Sequence, residues 1–180
     1  MSDKKKKISH GIIVYSGMKF VVSGIPKKGH LDEYKELWKK HNVKHIVRVC
    51  EETYKQSDLD DGGFVLHDLY SKDGDVPEEA SVDSWIALVE EVYGDPKARA
   101  KKIKKDGEPA PDAIDEAIAV HCVAGLGRSP LLVAIALMEY GMGSPMKAVE
   151  FIRKNRPNAL NAVQINYLKK YKPKSDCIIA

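Results

Sequence analysis

The sequence predicts an α/β fold: a single domain with a central, mostly parallel sheet flanked by helices. Three observations lead there. β-rich runs alternate with helical periodicities along the chain, and the strands read as apolar throughout, as strands covered on both faces do. The length of 180 residues, with 43% hydrophobic and 31% charged side chains, suits one soluble domain with tails. In order, residues 1–7 form a basic tail carrying Lys4 to Lys7, and order is expected from Ile8. Ile12–Tyr15 and Lys19–Val22 read as a hairpin across Ser16-Gly17. Leu31, Tyr34, Leu37 and Trp38 mark an amphipathic helix between Gly29 and His41-Asn42.

Val43–Cys50 is the next strand, and Phe64–His67 follows the turn at Asp61-Gly62-Gly63 and leads into a polar loop over Asp68–Pro77. Ser81–Tyr93 has helical spacing, with Ser81 or an acidic neighbour as cap. Residues 95–115, rich in lysine and then in Gly and Pro, read as a flexible surface insertion. An apolar strand over Ala117–Val123 gives way to a glycine loop and a helix from Arg128 to about Tyr140. Ser144-Pro145 opens a further helix through Lys154, with proline at a tolerated first-turn position, and the last helix covers Asn161–Tyr171.

Composition narrows the function classes. A formal net charge of +3 is too small for a nucleic-acid binder unless concentrated on one face, so no nucleic-acid partner is expected. No apolar run is long enough to span a membrane, and no apolar segment follows the basic start, so a cytoplasmic location is expected. Three cysteines, Cys50, Cys122 and Cys177, argue against a structural disulfide framework.

The informative stretch is His121-Cys122-Val123-Ala124-Gly125-Leu126-Gly127-Arg128-Ser129. A cysteine ends a buried strand, a five-residue loop with two glycines follows, and an arginine opens a helix. Backbone N–H groups turned inward and a helix N-terminus together make an anion cradle, with phosphate the expected guest. Arg128 can fork two donors onto two phosphoryl oxygens. The same positive field favours the Cys122 thiolate and makes it a nucleophile. A buried apolar cysteine beside an unremarkable arginine is the plainer alternative, and the joint order of strand, glycines, arginine and helix argues against it.

HCVAGLGRSP resembles the HCxxxxxR signature of the protein tyrosine phosphatase superfamily, and the wider chain, from about Val14 to Pro173 without the insertion, resembles the phosphatases of regenerating liver. Supporting stretches are Val47–Tyr54, Leu132–Leu137, Phe151–Arg153 and Tyr171–Lys174. The resemblance implies a dual-specificity-phosphatase-like domain over 8–173 and a cysteine-dependent phosphatase acting on phosphotyrosine in proteins. Phosphoinositides or phosphoserine and phosphothreonine stay open as substrates. Cys122 is then the nucleophile, Arg128 the phosphoryl clamp, residues 123–129 the binding loop (Val123, Ala124, Gly125, Leu126, Gly127, Arg128 and Ser129), and His121 a supporting residue. The family's acid loop aligns with Leu69-Tyr70-Ser71-Lys72-Asp73-Gly74, which makes Asp73 the general acid, with Asp68 and Asp75 as rivals. Two departures stand out: Leu69-Tyr70 and Lys72 replace the family's Trp-Pro and first aspartate, and Ser129 replaces its usual alanine with a hydroxyl suited to a leaving sulfur. No metal or cofactor is required by this chemistry.

The family also pairs the equivalent of Cys50 with the nucleophile in a reversible disulfide, which implies redox control through Cys50 and Cys122. Residues 174–180 end in Cys177-Ile178-Ile179-Ala180, a C-a-a-X pattern favouring farnesylation of Cys177, with Lys169, Lys170, Lys172 and Lys174 upstream. Peripheral attachment to plasma or endosomal membranes is expected from it. The alternative function is a weakly catalytic module docking onto the CBS-pair domain of membrane magnesium transporters. A rhodanese or arsenate reductase is disfavoured by the five-residue spacing and by the late position of the cysteine.

Overall fold

The computed structural model describes residues 8–95, Ala98 and 115–174. The basic tail 1–7, most of the expected insertion and the Cys177 motif lie outside the described residues. Five strands form one sheet in the order β1-β2-β5-β3-β4: β1 His10–Tyr15, β2 Met18–Gly24, β3 Val43–Arg48, β4 Val65–Asp68 and β5 Ala117–Cys122. The three pairings around β5 and β3 are parallel, and β1 pairs antiparallel with β2 through the hairpin. Ser16 and Gly17 take positive φ (49° and 75°), the pair of left-handed residues that matches a two-residue turn to strand twist.

Helix α1 (Leu31–Lys40) covers one face, where Trp38 packs with Val21, Ile46, Tyr54, Leu59 and Phe64. On the other face lie α2 (Glu79–Tyr93), α3 (Arg128–Leu137), α4 (Pro145–Asn155) and α5 (Ala162–Lys170). Helix α3 is buried along its whole length, which is why its sequence shows no polar face. Trp85 of α2 fixes the neighbouring helix by donating from Nε1 to Leu132 O at 2.7 Å.

Several boundaries shift from those read in the sequence. Strand β3 stops at Arg48, so Cys50 sits beyond the strand rather than at its end. Helix α2 begins two residues before Ser81, which therefore cannot cap it; Glu78 takes the extended capping conformation after Pro77. The chain leaves α3 through a turn over Met138–Met142, where Gly141 adopts φ 97°.

The four parallel-paired strands β2, β5, β3 and β4 deliver their carboxyl ends to one edge. In open parallel sheets that edge is where ligands bind. The register sets Ser23, His121, Arg48 and Asp68 in one cross-strand row there. Strand alternation then turns the next residue of β5, Cys122, to the opposite face, toward α3.

Candidate active site

Cys122 ends β5 and lies at 3% exposure, at the base of the loop running into α3. Burial alone would push its thiol pKa up. The Ser129 hydroxyl, donating to Sγ at 3.3 Å, and the backbone N–H groups of Ser129, Gly127 and Gly125 outweigh that cost, and the net pKa falls below the ordinary thiol value. The inward amides expected from the glycine loop are therefore the groups that hold the sulfur.

The loop keeps that shape because its carbonyls are taken up elsewhere. Arg156, just past α4 and itself buried, donates from Nε to Gly125 O (3.0 Å) and from Nη2 to Ala124 O (2.9 Å), while Nη1 reaches Ser9 Oγ (2.7 Å). Ile25 N donates to Val123 O and Leu160 N to Leu126 O. With carbonyls held outward, the N–H groups face the sulfur. Gly125 has φ 67°, and a Cβ there would stand 2.3 Å from Ser23 O, so both conformation and space require glycine. Val123, Ala124 and Leu126 are exposed around the rim.

Arg128 opens α3 and is almost fully buried. Its Nη1 donates to Ser71 O at 2.7 Å, which anchors the guanidinium to the acid loop. Among the described residues Nε and Nη2 make no hydrogen bond; Nη2 stands 3.1 Å from Asp73 Oδ1 as an ion pair out of line for one. That edge carries the two parallel donors that match two oxygens of a phosphoryl group.

Of the three acid-loop candidates, Asp73 comes to the site, with its side chain 84% exposed and its carboxylate on Arg128. Asp68 is committed elsewhere: both its oxygens accept from Arg48, Nε at 2.5 Å and Nη2 at 2.8 Å. Asp75 Oδ1 accepts from Val76 N at 2.8 Å, a turn-former's role.

His121 is fully buried on the other face, where Nε2 meets the Tyr54 hydroxyl. Burial, aided by Arg48, depresses its pKa to about 3, so the ring is neutral. Arg48 donates to Tyr54 O, lies 5.0 Å over the Tyr54 ring and holds Asp68, so one buried guanidinium links the residues behind Cys50 to the start of the acid loop. Cys50 is a buried free thiol; burial, then the neighbouring Cys122 charge, raise its pKa to about 11.

Arg156, Arg48, Tyr54, Asn161 and Gln164 had no role assigned from the sequence. Asn161 and Gln164 carried a signal in their capping-box spacing ahead of an apolar run, and Arg48 and Tyr54 lie within the Val47–Tyr54 stretch that carries the resemblance. Nothing local marks the pairing of Tyr54 with His121, or of Arg156 with the Cys122 loop.

No family model matches the chain. Curated relatives do. The chain is 39% identical over 156 residues to protein tyrosine phosphatase PRL-1 of Trypanosoma cruzi, covering 87% of this chain and 79% of that one. It is 38% identical to the PRL-1 phosphatase of Drosophila melanogaster (97% and 89%) and 38% identical to human protein tyrosine phosphatase type IVA 3 (90% and 83%). Among solved structures, a protein tyrosine phosphatase from Leishmania major superposes with TM-score 0.71 at 32% identity, covering 92% of this chain and 99% of that one.

Two outcomes are expected from this geometry. Arg156→Met leaves the Ala124 and Gly125 carbonyls without their buried donors, at a cost of about 1–3 kcal/mol in urea unfolding, and lowers kcat/KM for p-nitrophenyl phosphate by roughly tenfold or more as the loop relaxes. His121 binds its proton more readily in the unfolded chain (6.5) than in the folded one (about 3), so its contribution to stability is complete above pH 6.5 and is lost as pH falls toward 3. His121→Gln should flatten the unfolding free energy across that window; an unchanged slope contradicts the buried neutral ring.

With the fold, the sulfur cradle and these relatives in agreement, the chain belongs to the phosphatases of regenerating liver, the protein tyrosine phosphatase type IVA family, and is a cysteine-dependent protein tyrosine phosphatase.

Proposed function

We propose that the chain hydrolyses phosphotyrosine in proteins through a phosphocysteine intermediate on Cys122. One observation carries this reading: an amide-held sulfur at one end of the loop and, at the other, a buried arginine whose Nε and Nη2 make no hydrogen bond among the described residues. The Cys122 thiolate attacks phosphorus as the bond to the phenolic oxygen breaks, and Asp73 gives its proton to that oxygen. Arg128 Nε and Nη2 hold the phosphoryl oxygens in both states, with Asp73 moving off Nη2 to make room. Water then attacks the phosphocysteine, giving a proton to Asp73 and displacing the sulfur. The Ser129 hydroxyl, already donating to Sγ at 3.3 Å, stabilises the thiolate as it leaves.

The exposed side chains of Tyr70, Val123 and Leu126 give the substrate an apolar surround. Cys50 supplies a redox partner: peroxide oxidises the Cys122 thiolate to sulfenic acid, and the Cys50 thiol then displaces its hydroxyl, the thiol proton leaving with it as water, to give a reversible disulfide. Farnesylation of Cys177, with Lys169, Lys170, Lys172 and Lys174 beside it, carries the enzyme to the cytoplasmic face of plasma or endosomal membranes.

A second reading is favoured by the carboxylate seated on Arg128: an acidic residue of a CBS-pair magnesium transporter could take the place of Asp73 and dock there. Sustained turnover of p-nitrophenyl phosphate, lost in Cys122→Ser, supports the enzyme; a single burst followed by tight partner binding supports the module.

Asp73→Asn should slow phenyl phosphate, a poor leaving group, by about 10²-fold or more while p-nitrophenyl phosphate loses much less. Equal losses on both substrates remove Asp73 from the acid role.

A further inference from the structure

Helix α5 begins with a reciprocal cap. Asn161 Oδ1 accepts from Gln164 N at 2.9 Å, and Gln164 Oε1 accepts from Asn161 N at 3.0 Å. A backbone N–H can only donate, so each amide must present its oxygen to the helix, and its NH₂ group is left facing away. Both NH₂ groups turn toward the acid loop. Asn161 Nδ2 donates to Gly74 O at 3.1 Å, and Gln164 Nε2 makes a longer contact of 3.4 Å to Asp75 O. Gly74 and Asp75 are the two residues after Asp73.

The same helix start also rests on the sulfur-binding loop. Leu160 N donates to Leu126 O at 2.7 Å. The Gln164 amide is fully buried, and Nε2 lies 3.0 Å from where a Cβ on Gly127 would stand, so the missing side chain of Gly127 makes its room. Gln164 is thus wedged between the loop that holds the sulfur and the loop that carries the acid. On the opposite flank Arg128 holds Ser71 O. The loop is gripped on both sides of Asp73 by groups anchored to the Cys122 loop.

We propose that Asn161 and Gln164 are positioning residues that latch the acid loop over Cys122, using the nitrogens of a helix cap whose oxygens are already committed to α5. The inference rests on the reading of Asp73 as the general acid. Opening the latch leaves the sulfur cradle intact and withdraws the proton donor, so the loss falls on substrates that need one.

The test uses the full chain with Asn161→Asp, Gln164→Glu and Asp73→Asn. The first two keep a capping oxygen and replace the NH₂ donor with a carboxylate oxygen facing a carbonyl. An aspartate at the start of α5 suits the helix dipole, so Asn161→Asp should keep its thermal midpoint. Gln164→Glu buries a carboxylate; should it fail to fold, Asn161→Asp decides. kcat/KM is measured across pH for p-nitrophenyl and phenyl phosphate. The latch predicts that Asn161→Asp lowers the phenyl phosphate rate about tenfold more than the p-nitrophenyl rate, and that adding it to Asp73→Asn costs nothing further. Equal losses on both substrates, or no loss, with Asp73→Asn still selective against phenyl phosphate, overturns the latch alone. An Asp73→Asn protein with no leaving-group selectivity overturns the acid assignment and the latch together.

Discussion

The structure depends on a set of hydrogen bonds that lets a buried sulfur carry charge. Taking a thiolate out of water is unfavourable, and at Cys122 burial is the largest single influence on the thiol. It is overcome by short-range donors: one hydroxyl and three backbone amides from residues 125–129. Those amides point inward because Arg156 and two backbone N–H groups draw the loop carbonyls outward. A guanidinium on the far side of the loop therefore shapes the nucleophile without touching it.

Buried arginines recur in this role. Arg128, Arg48 and Arg156 are each nearly inaccessible to solvent, and each donates to at least one backbone carbonyl near the catalytic edge. Arg128 differs in one respect: an edge of its guanidinium makes no hydrogen bond to the described residues. An unsatisfied buried donor pair costs free energy, and it is retained where a ligand completes it. Arg48 links a third region, since it joins the Tyr54 segment, the neutral His121 and the start of the acid loop on the opposite face of the sheet.

The sheet and the sulfur loop were legible in the sequence because their signals are local. Strand, glycines, arginine and helix stand within a dozen residues of one another, and the hairpin turn at Ser16-Gly17 is a two-residue pattern. What holds the loop in shape was not legible. Arg156 bonds residues 31, 32 and 147 positions away, and Tyr54 meets His121 across 67. Such pairings arise when the sheet register sets distant segments side by side. The sequence singles out Asp73 only through the resemblance of its loop; that Asp68 ends β4 with both oxygens on Arg48, while Asp73 lies beside Arg128, is visible only in the structure. Strand β3 ends before the bend at Cys50, and α2 starts directly after an extended Glu78, bounds that composition does not reveal.

The central claim is that cradle hydrogen bonds, not exposure, make Cys122 ionise easily. It is tested most directly by following the rate of iodoacetamide alkylation of Cys122 against pH, in a Cys50→Ser background, with and without Ser129→Ala. The account predicts a midpoint below the ordinary cysteine value of about 8.5 and a clear upward move when the hydroxyl is removed. A midpoint at or above that value in the unaltered loop would contradict it.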